Sequence, residues 1–492
     1  MEADSRIIME GEVKRELSKG VYYTAIAKYS GIFISIAVVA VLARIVPPKE
    51  FGIVAIATVI IQFLSTFGNF GIGPAIIQHK ELSKRDISHI FSFTVWLAIL
   101  LSVLFFIASW PIASYYGSDQ LLIISRLLTL NLFFAIVNTV PNYLFYRDKN
   151  FKFISYRTLI VQLIGGVASI VAALNGLGIY SLIINPIFSV VILFGINIIK
   201  YPQKFFFKLD PAPIKAIFSF SSYLFLFDMI NYLTRNLDKL IVGRYIDMTG
   251  LGYYEKSYRL MMLPLQNINH VIGPVMHPVF SDLRKDLGKL SVSYEKIVRL
   301  MAFIGFPLSA VLFFTSKELV LLFFGEDWLL SVPSFKILSL SVGIQIILST
   351  SGSIFQSSDS TRYLMISGIF SSVTTIAALW IAVVWFGTIE AVAWSVTISF
   401  ALNYVQAFYL MYSKVFKRNM LNLYKQLWPS LLLTALVVIV NAIILFFNLC
   451  TDYIVFSLLI KSVLSLLIFV GFIQVTGEYD IITKVKDLIS KL

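Results

Sequence analysis

Fourteen apolar stretches of about 20 residues constrain this chain more than any other feature of its sequence. A helix of about 20 residues spans the hydrocarbon core of a bilayer, so each stretch predicts one transmembrane helix. The predicted spans are residues 22–45, 51–71, 88–110, 121–145, 156–174, 178–199, 214–236, 250–280, 297–315, 332–356, 364–386, 390–412, 427–447 and 453–475. Apolar residues make up 58% of the chain and charged residues 14%, which excludes an ordinary soluble globular protein. We therefore predict an all-α integral membrane protein.

Basic residues are distributed unevenly between the predicted loops. With both termini in the cytoplasm, the inner loops carry clusters of Lys and Arg, in agreement with the positive-inside rule. The clusters are Lys80/Lys84/Arg85, Arg147/Lys149/Lys152/Arg157, Lys200/Lys204/Lys208/Lys215, Arg284/Lys285/Lys289/Lys296 and Lys414/Lys417/Arg418/Lys425. The outer loops 111–120, 175–178, 387–389 and 448–452 carry no basic residue. The net charge of +13 therefore indicates topology and not nucleic-acid binding.

A weak internal repeat relates the two halves of the chain. Residues 44–86 align without a gap to residues 244–286, with seven identities. The matched pairs are Arg44/Arg244, Gly52/Gly252, Asn69/Asn269, Ile72/Ile272, Gly73/Gly273, Pro74/Pro274 and Asp86/Asp286. The offset contains six predicted helices, so the two copies share one orientation and are related by a pseudo-two-fold axis along the membrane normal. Such duplication is typical of transporters, in which two similar lobes move against each other.

The repeat divides the chain into seven predicted segments. They are a cytoplasmic N-terminal segment (1–21), a six-helix N-lobe (22–199), a cytoplasmic linker (200–213), a six-helix C-lobe (214–412), a cytoplasmic loop (413–426), two further helices (427–475) and a cytoplasmic tail (476–492). Every loop between the spans is short, so no soluble domain is predicted to hold an active site. We expect the chain to act within the bilayer, and not as an enzyme.

Ionisable residues interrupt several predicted spans. Each costs roughly 2.5–3.5 kcal/mol on insertion scales, so such residues usually face a cavity or one another. The basic candidates for lining such a cavity are Lys28, Arg126, Arg235, Arg259 and Lys336, and the acidic candidates are Asp228 and Glu255. A cationic, partly desolvated cavity suits an anionic cargo such as a phosphate or diphosphate, because Arg binds phosphate oxygens in a bidentate manner.

Simpler interpretations of these charges stay open. The charges of the seventh and eighth spans lie within one or two turns of one another and suit helix-stabilising pairs. Arg126 and Lys336 lie near the start of the fourth and tenth spans, where long side chains reach the headgroups. No group of His, Cys and carboxylate residues has the spacing of metal ligands, so no metal site is predicted.

Glycine and proline residues mark candidate hinges near the inner ends of the second and eighth spans and within the eighth. They are Gly73, Pro74, Pro264, Gly273 and Pro274. Proline removes a backbone donor and bends a helix. The pattern predicts either helix ends or points that flex during gating.

Three stretches of the sequence are distinctive as motifs. They are Asn231…Asp238-Lys-Leu-Ile-Val-Gly243-Arg244, then Gly250-Leu-Gly252-Tyr-Tyr with Leu263-Pro264…Val275-Met-His-Pro278-Val-Phe-Ser281, and Ala43-Arg44-Ile-Val-Pro-Pro-Lys-Glu-Phe51-Gly52. Together they resemble the polysaccharide transporter family of the multidrug/oligosaccharidyl-lipid/polysaccharide (MOP) flippase superfamily. The resemblance covers most of residues 15–420. It is nearest to oligosaccharide flippases of the colanic-acid and teichuronic-acid type, and it implies a MATE-like fold.

The resemblance implies a flippase that moves an undecaprenyl-diphosphate-linked oligosaccharide across the bacterial cytoplasmic (inner) membrane. The cargo would be a repeat unit of O antigen, capsule or exopolysaccharide. Alternating access would be coupled to a proton or sodium gradient, without a bound cofactor. By analogy, the five basic residues listed above would bind the cargo, and Asp228 or Glu255 would couple transport to the ion. Expected partners are the lipid-linked cargo, membrane lipid, and a polysaccharide polymerase with its co-polymerase; the chain is expected to be monomeric.

Two other functions are compatible with the sequence. A lipid II flippase or multidrug exporter of the same superfamily is the nearer alternative. An integral-membrane polysaccharide polymerase or ligase is more distant, because such enzymes usually need a large outward loop with catalytic Arg or His. The longest outward loops predicted here, 237–249 and 316–331, are short.

Overall fold

The computed structural model describes residues 24–69, 71–283, 286–447 and 453–477, without the side chains of residues 69, 216–228, 231, 269–279, 281 and 282. Regular secondary structure in these ranges is helical throughout. The chain forms two compact units, which meet in sequence between Gly252 and Tyr253. The predicted lobe boundary at 200–213 stays a prediction, because units defined by contacts need not coincide with units related by duplication.

The first unit contains nine helices and the start of a tenth in the described chain. They are α1 (Thr24–Ala43), α2 (Pro48–Asn69), α3 (Ile72–Gln78), α4 (Lys84–Tyr116), α5 (Asp119–Val137), α6 (Thr139–Arg147), α7 (Phe151–Leu174), α8 (Ser181–Lys200), α9 (Pro211–Tyr245) and the first turn of α10 (Met248–Asp282). α4 packs along α5, and α7 packs along α8. α9 packs against α2 and α4, so it belongs to this unit.

The second unit contains the rest of α10 and nine further described helices. They are α11 (Leu287–Phe314), α12 (Ser316–Phe323), α13 (Ser331–Ser339), α14 (Val342–Leu348), α15 (Ser351–Ser357), α16 (Thr361–Ile381), α17 (Ile389–Leu410), α18 (Leu421–Phe446) and α19 (Ile454–Thr476). α11 is the central element, since it packs against α18, α14 and α13. A small apolar core of Phe303, Leu433, Val437 and Ile473 joins α11, α18 and α19.

Most of the predicted spans coincide with apolar helices. Eleven described helices are long and apolar enough to cross a membrane, and the bent pair Ser331–Ser339 and Val342–Ser357 makes up to twelve. Each matches one predicted span. The other two predicted spans are α9 and α10, which are continuous helices of 35 residues each. Neither is among the eleven apolar helices, so for these two helices the total of fourteen spans stays a prediction.

The repeated residues Asp86 and Asp286 both stabilise the start of the helix that follows them. Asp86 accepts a hydrogen bond from the Ser83 backbone N–H (2.9 Å), and the Ser83 hydroxyl accepts one from the Asp86 N–H (3.1 Å). This reciprocal pair is a capping box at the start of α4. Asp286 accepts from the Lys289 N–H (3.0 Å) at the start of α11, which holds the pKa of Asp286 below its usual range. One identity in the repeat is therefore explained by helix capping.

The segment predicted as a linker between the lobes lies along α4 in the first unit. The Phe206 N–H donates to the Ser92 hydroxyl (2.9 Å), and the Phe206 ring stacks on His89 with centroids 4.4 Å apart. The Asp210 N–H donates to Nδ1 of His89 (3.3 Å), and Asp210 then caps α9. Hydrogen bonds from its backbone therefore attach this segment to α4.

The repeated glycines Gly52 and Gly252 lie where α2 crosses the start of α10, within the first unit. A Cβ on Gly52 would lie 1.9 Å from the backbone oxygen of Met248. A Cβ on Gly252 would lie 2.0 Å from the backbone oxygen of Pro48. The contact is symmetric in the repeat. Residues 48 and 52 of the first copy correspond to residues 248 and 252 of the second, and each glycine contacts the equivalent residue of the other copy. The glycines are required because two helix backbones touch.

Gly52→Ala or Gly252→Ala should destabilise the protein, because the new methyl group would meet a backbone oxygen that cannot rotate away. Overpacking in a closed core costs about 1–3 kcal/mol, and a backbone contact belongs at the upper end. The measurement is the thermal unfolding of detergent-purified protein. Gly195→Ala in α8 is the matched control, since no atom lies within 4 Å of its Cβ position. Equal stability of the Gly52 and Gly195 variants would contradict the close crossing.

Candidate functional site

Three of the predicted cargo-binding cations, Lys28, Arg126 and Arg235, lie in the first unit. Lys28 is partly buried on α1, and one turn later the Gly31 carbonyl accepts a hydrogen bond from Nε2 of Gln162 on α7 (2.9 Å). Arg126 is exposed on α5, with its guanidinium carbon 4.9 Å from the centroid of the Phe106 ring. Arg235 is exposed on α9. Within the described part of the chain, none of the three forms an ion pair.

Two tyrosines fix the helix that carries Arg235. The Tyr232 hydroxyl donates to the backbone oxygen of Val59 on α2 (2.9 Å), and its ring stacks on Phe63. The Tyr116 hydroxyl at the end of α4 donates to the backbone oxygen of Leu240 (3.2 Å). These two hydrogen bonds hold the second half of α9 in place, and they therefore fix the position of Arg235 within the first unit. The predicted coupling residue Asp228 is among those whose side chains the structure leaves undescribed.

The remaining predicted cations, Arg259 and Lys336, lie in the second unit. Lys336 is partly buried on α13, with Nζ 4.5 Å from the centroid of the Phe313 ring of α11. This contact has the same form as that of Arg126 with Phe106 in the first unit. Each basic residue at the start of the predicted fourth helix of a lobe thus covers an aromatic ring. The two residues therefore make the same kind of cation–π contact, and their role in cargo binding stays a prediction.

The predicted coupling residue Glu255 pairs with its neighbour Lys256, at an Nζ–Oε2 distance of 2.9 Å. Lys256 is buried, and its ammonium lies 5.9 Å from the centroid of the Trp328 ring. The next residue, Ser257, donates to the backbone oxygen of Ser331 (2.8 Å). This part of α10 is therefore fixed against the start of α13. The sequence analysis missed Lys256, because an adjacent residue on a helix is not expected to face the same way.

The candidate hinge at Gly73-Pro74 lies beside an actual helix break. α2 ends at Asn69 and α3 begins at Ile72, with Gly71 at φ 69° between them. Pro74 is the third residue of α3, where the backbone N–H has no helical partner, so proline costs no hydrogen bond. Gly73 packs against Tyr143 of α6, and a Cβ there would lie 2.2 Å from the ring. The break itself is therefore at Gly71, and Gly73 is a packing position.

The second copy of this hinge motif lies inside a continuous helix. α10 runs through Pro264, Gly273 and Pro274 without a break, although the side chains of residues 273 and 274 are not described. Pro264 leaves the carbonyl of Leu260 without its helical donor. The two copies therefore differ in backbone conformation, and flexing at either stays a prediction.

A buried ion pair that the sequence analysis overlooked joins α19 to α12 in the second unit. Lys461 Nζ donates to Oε1 of Glu318, with the two side chains 3% and 10% exposed. Lys461 also donates to the backbone oxygen of Phe314 (3.1 Å), and Ser457 donates to Glu318 (2.7 Å). A lone lysine in the fourteenth span was the available signal, since such residues usually have a partner inside the protein.

Asn441 and Ser465 extend this polar cluster to α18. Nδ2 of Asn441 donates to the Ser465 hydroxyl (2.9 Å), which donates to the backbone oxygen of Lys461 (2.6 Å). Both side chains are buried between apolar helices. The cluster therefore fixes the last two helices to the rest of the unit. No group of three or more potential metal-binding side chains occurs among the residues that were placed.

Comparison with known families identifies the chain. Residues 41–333, more than half of the sequence, match the family described as polysaccharide biosynthesis protein. The chain belongs to the polysaccharide biosynthesis protein family. This membership confirms the resemblance that the sequence motifs indicated.

Relatives in the family come from several bacteria. The lipopolysaccharide biosynthesis protein WzxC of Escherichia coli (strain K12) is 27% identical, over 66% of this chain and 67% of WzxC. The succinoglycan biosynthesis transport protein ExoT of Rhizobium meliloti (strain 1021) is 25% identical, over 67% of each chain. The teichuronic acid biosynthesis protein TuaB of Bacillus subtilis (strain 168) is 23% identical, over 86% of this chain and 88% of TuaB.

Solved structures of similar fold are membrane transporters. The lipid II flippase MurJ in an inward closed conformation gives a TM-score of 0.74 at 16% identity, over 93% of this chain and 99% of MurJ. An inward-facing multidrug resistance MATE family transporter of the MOP superfamily gives 0.62 at 15% identity, over 80% of this chain and 96% of that one. At these identities the likeness shows the fold alone. It confirms the predicted helical fold of the MOP type.

Breaking the Glu318–Lys461 pair should destabilise this family member more than removing the pair altogether. Glu318→Gln or Lys461→Met alone leaves one charge buried, at a cost of roughly 3–5 kcal/mol. The double variant Glu318→Gln/Lys461→Met should recover much of that loss. Thermal unfolding in detergent measures both. Lys289→Gln, which breaks the exposed pair with Asp286, is the control and should change nothing measurable. Additive losses in the double variant would show that the pair does not act as a unit.

Proposed function

We propose that this protein is a flippase that moves an undecaprenyl-diphosphate-linked oligosaccharide from the inner to the outer leaflet of the bacterial cytoplasmic membrane. It would act as a transporter and not as an enzyme. Family membership, the naming of ExoT as a transport protein and a fold shared with a lipid II flippase support this proposal. The chain would alternate between inward- and outward-open states, driven by a proton or sodium gradient.

The observation that carries the proposal is the set of unpaired cations on the first unit. Lys28, Arg126 and Arg235 have no ion-pair partner among the described residues. Cations within membrane spans are costly, and they are retained where they meet an anionic partner or a wet cavity. A diphosphate supplies such a partner, because it bears several oxygens that accept charge-assisted hydrogen bonds. A cationic drug would instead need acidic and aromatic groups.

The coupling role is proposed for Glu255 with Asp228 as the second candidate. Glu255 pairs with Lys256, so the carboxylate is compensated while it is ionised. Binding of a proton or sodium ion at Glu255 would compete with Lys256, which gives the ion a means of changing local structure. This proposal needs no cofactor other than the gradient.

The alternatives are less well supported by the structure. The likeness to MurJ concerns the fold, whereas the relatives in sequence are named for polysaccharide biosynthesis, which favours a polysaccharide precursor over lipid II. A polymerase would need its catalytic residues in the long outward loops predicted at 237–249 and 316–331. α9 continues to Tyr245 and α12 occupies Ser316–Phe323, so both loops are largely helical. We propose a monomer with cytoplasmic termini, working beside a polymerase and its co-polymerase.

Charge reversal at two cations should abolish polymer export. In cells that lack the native gene, the double variant Lys28→Glu/Arg235→Glu should leave the protein in the membrane but repel the diphosphate. Surface polymer and membrane-bound protein are measured together. Lys49→Glu/Lys317→Glu is the matched control, since both lysines are exposed and the charge change is equal. Normal export by the Lys28/Arg235 variant would remove these residues from cargo binding.

Neutralising the coupling carboxylate should uncouple transport from the gradient. Flipping of a labelled lipid-linked oligosaccharide is followed in proteoliposomes with and without an imposed proton or sodium gradient. Glu255→Gln should flip at the same rate in both conditions, because the side chain no longer exchanges an ion. Asp228→Asn is tested in parallel, and Glu326→Gln, on the segment before α13, is the control. Wild-type gradient dependence in both variants would clear both carboxylates.

A further inference from the structure

Arg157 is a buried cation near the start of α7 that the proposed function does not yet use. Only 6% of the surface of Arg157 is exposed. One nitrogen, Nη2, donates to Oδ1 of Asn142 on α6 (2.6 Å). The guanidinium carbon lies 4.3 Å from the centroid of the Phe145 ring and 5.9 Å from that of Phe153. Every one of these partners is electrically neutral.

Two nitrogens of the Arg157 guanidinium have no acceptor. Nε and Nη1 are both buried, and no described residue accepts a hydrogen bond from either. The aromatic faces and one amide oxygen do not neutralise the charge. A buried guanidinium with unused donors is unfavourable unless another state of the protein satisfies it. The free N–H groups point along different edges of the guanidinium, so the missing partner is best matched by an anion that offers several oxygens, such as a diphosphate.

A tyrosine packs against the aromatic rings that cover Arg157. The Tyr201 ring lies edge-on to Phe145, with centroids 4.6 Å apart, and Phe145 stacks on Phe153. The Tyr201 hydroxyl donates to Oδ2 of Asp148. Burial and this carboxylate raise the pKa of Tyr201 to about 12, so the phenol stays a donor at physiological pH. The hydrogen bond holds Tyr201 over Phe145, and Phe145 lies over Arg157.

The depth of Arg157 matches the headgroup region. It lies six residues after Phe151, the first residue of α7, which corresponds to about 9 Å along the helix. The positive-inside rule places this end of α7 at the cytoplasmic surface. On this topology Arg157 is expected near the level of the lipid phosphates of the cytoplasmic leaflet. Asp148, the nearest carboxylate in this group of contacts, is engaged by Tyr201 and does not pair with Arg157.

We propose that Arg157 is a docking residue for the diphosphate of the lipid-linked cargo on the cytoplasmic side, reached when the Tyr201–Asp148 hydrogen bond opens. The inference rests on the proposed flippase function and adds a first binding step to it. The diphosphate oxygens take the two donors that are unused in the closed arrangement. Tyr201 and Phe145 then act as a lid, which shields the guanidinium when no cargo is bound.

Direct binding tests this inference. The purified full-length protein is titrated in lipid nanodiscs with undecaprenyl diphosphate, with inorganic diphosphate and with phosphatidylglycerol, and the dissociation constants are compared. Arg157→Gln should weaken binding of undecaprenyl diphosphate by about tenfold or more, because charge-assisted hydrogen bonds are lost. Arg157→Lys should recover part of the affinity, since it retains the charge without the fork. Inorganic diphosphate should compete for the site, and phosphatidylglycerol should not.

Arg147→Gln is the matched control for the loss of one positive charge at the same end of the unit. Arg147 donates to the backbone oxygens of Lys80 and Leu82, so its loss should leave the dissociation constant within about twofold. Tyr201→Phe removes the bond to Asp148 and keeps the ring. It should bind undecaprenyl diphosphate several times more tightly than wild type, because the closed state is weakened. A merely structural role of Arg157 predicts no change in affinity for Tyr201→Phe.

The outcomes separate this inference from the proposed function. Equal affinity of wild type and folded Arg157 variants for undecaprenyl diphosphate would overturn the docking role and leave the flippase proposal intact. Equal loss of phosphatidylglycerol binding would make Arg157 a general phospholipid site and would also overturn it. If Arg157→Gln does not fold, Arg157→Lys and Tyr201→Phe decide the matter. A wild-type protein that binds no undecaprenyl diphosphate and exports no polymer would instead contradict the flippase proposal.

Discussion

The crossing of Gly52 and Gly252 is the contact on which the arrangement of the first unit depends. At this point the backbone of α2 touches the backbone at the start of α10, and each glycine faces the oxygen of the residue four positions before the other. No side chain larger than hydrogen fits at either position, so the geometry requires glycine at both. Because the contact is symmetric under the 200-residue offset, it explains why these glycines are identical in the two copies. Asp86 and Asp286 are identical in the two copies for a related reason, since each stabilises the start of the helix that follows it. The matched residues described here are therefore scaffold.

The bilayer imposes the second constraint, because charges within it need partners. In the second unit two such charges are paired with a neighbour of opposite sign: Glu255 with Lys256, and Glu318 with Lys461. The second pair also fixes α19, which lies outside the duplicated part of the sequence. Polar contacts of this kind can replace the hydrophobic driving force that is missing between helices surrounded by lipid. The first unit is different, since Lys28, Arg126, Arg157 and Arg235 have no acidic partner among its described residues.

Hydropathy was sufficient to predict the helices, because length and apolar content follow directly from bilayer thickness. It was weakest for α9 and α10, where polar residues interrupt the pattern. The predicted second span ends at residue 71, in agreement with the left-handed backbone of Gly71, and flexing at Gly73-Pro74 stays a prediction. Partners far apart in sequence were beyond prediction: Glu318 and Lys461 meet only through the packing of α12 on α19. Arg157 was counted among loop charges, because nothing in the sequence indicates that α6 and Tyr201 bury it. Asp228 lies among the undescribed side chains, so its predicted role is unaffected.

The contrast between unpaired cations in one unit and paired charges in the other suggests a division of labour. An ion that drives transport must bind where it changes an existing interaction, and a carboxylate already held by a lysine offers that. An anionic cargo needs the opposite, namely cations that no internal carboxylate neutralises. The paired carboxylate Glu255 of the second unit is therefore a candidate for coupling. The cations without an ion pair in the described chain, three in the first unit and Lys336 in the second, are candidates for binding the diphosphate. Because the duplication supplied both halves with the same scaffold, this difference must have arisen at positions outside the seven identities. A search for function in other members of this family should accordingly begin with the charges that differ between the two copies of the repeat.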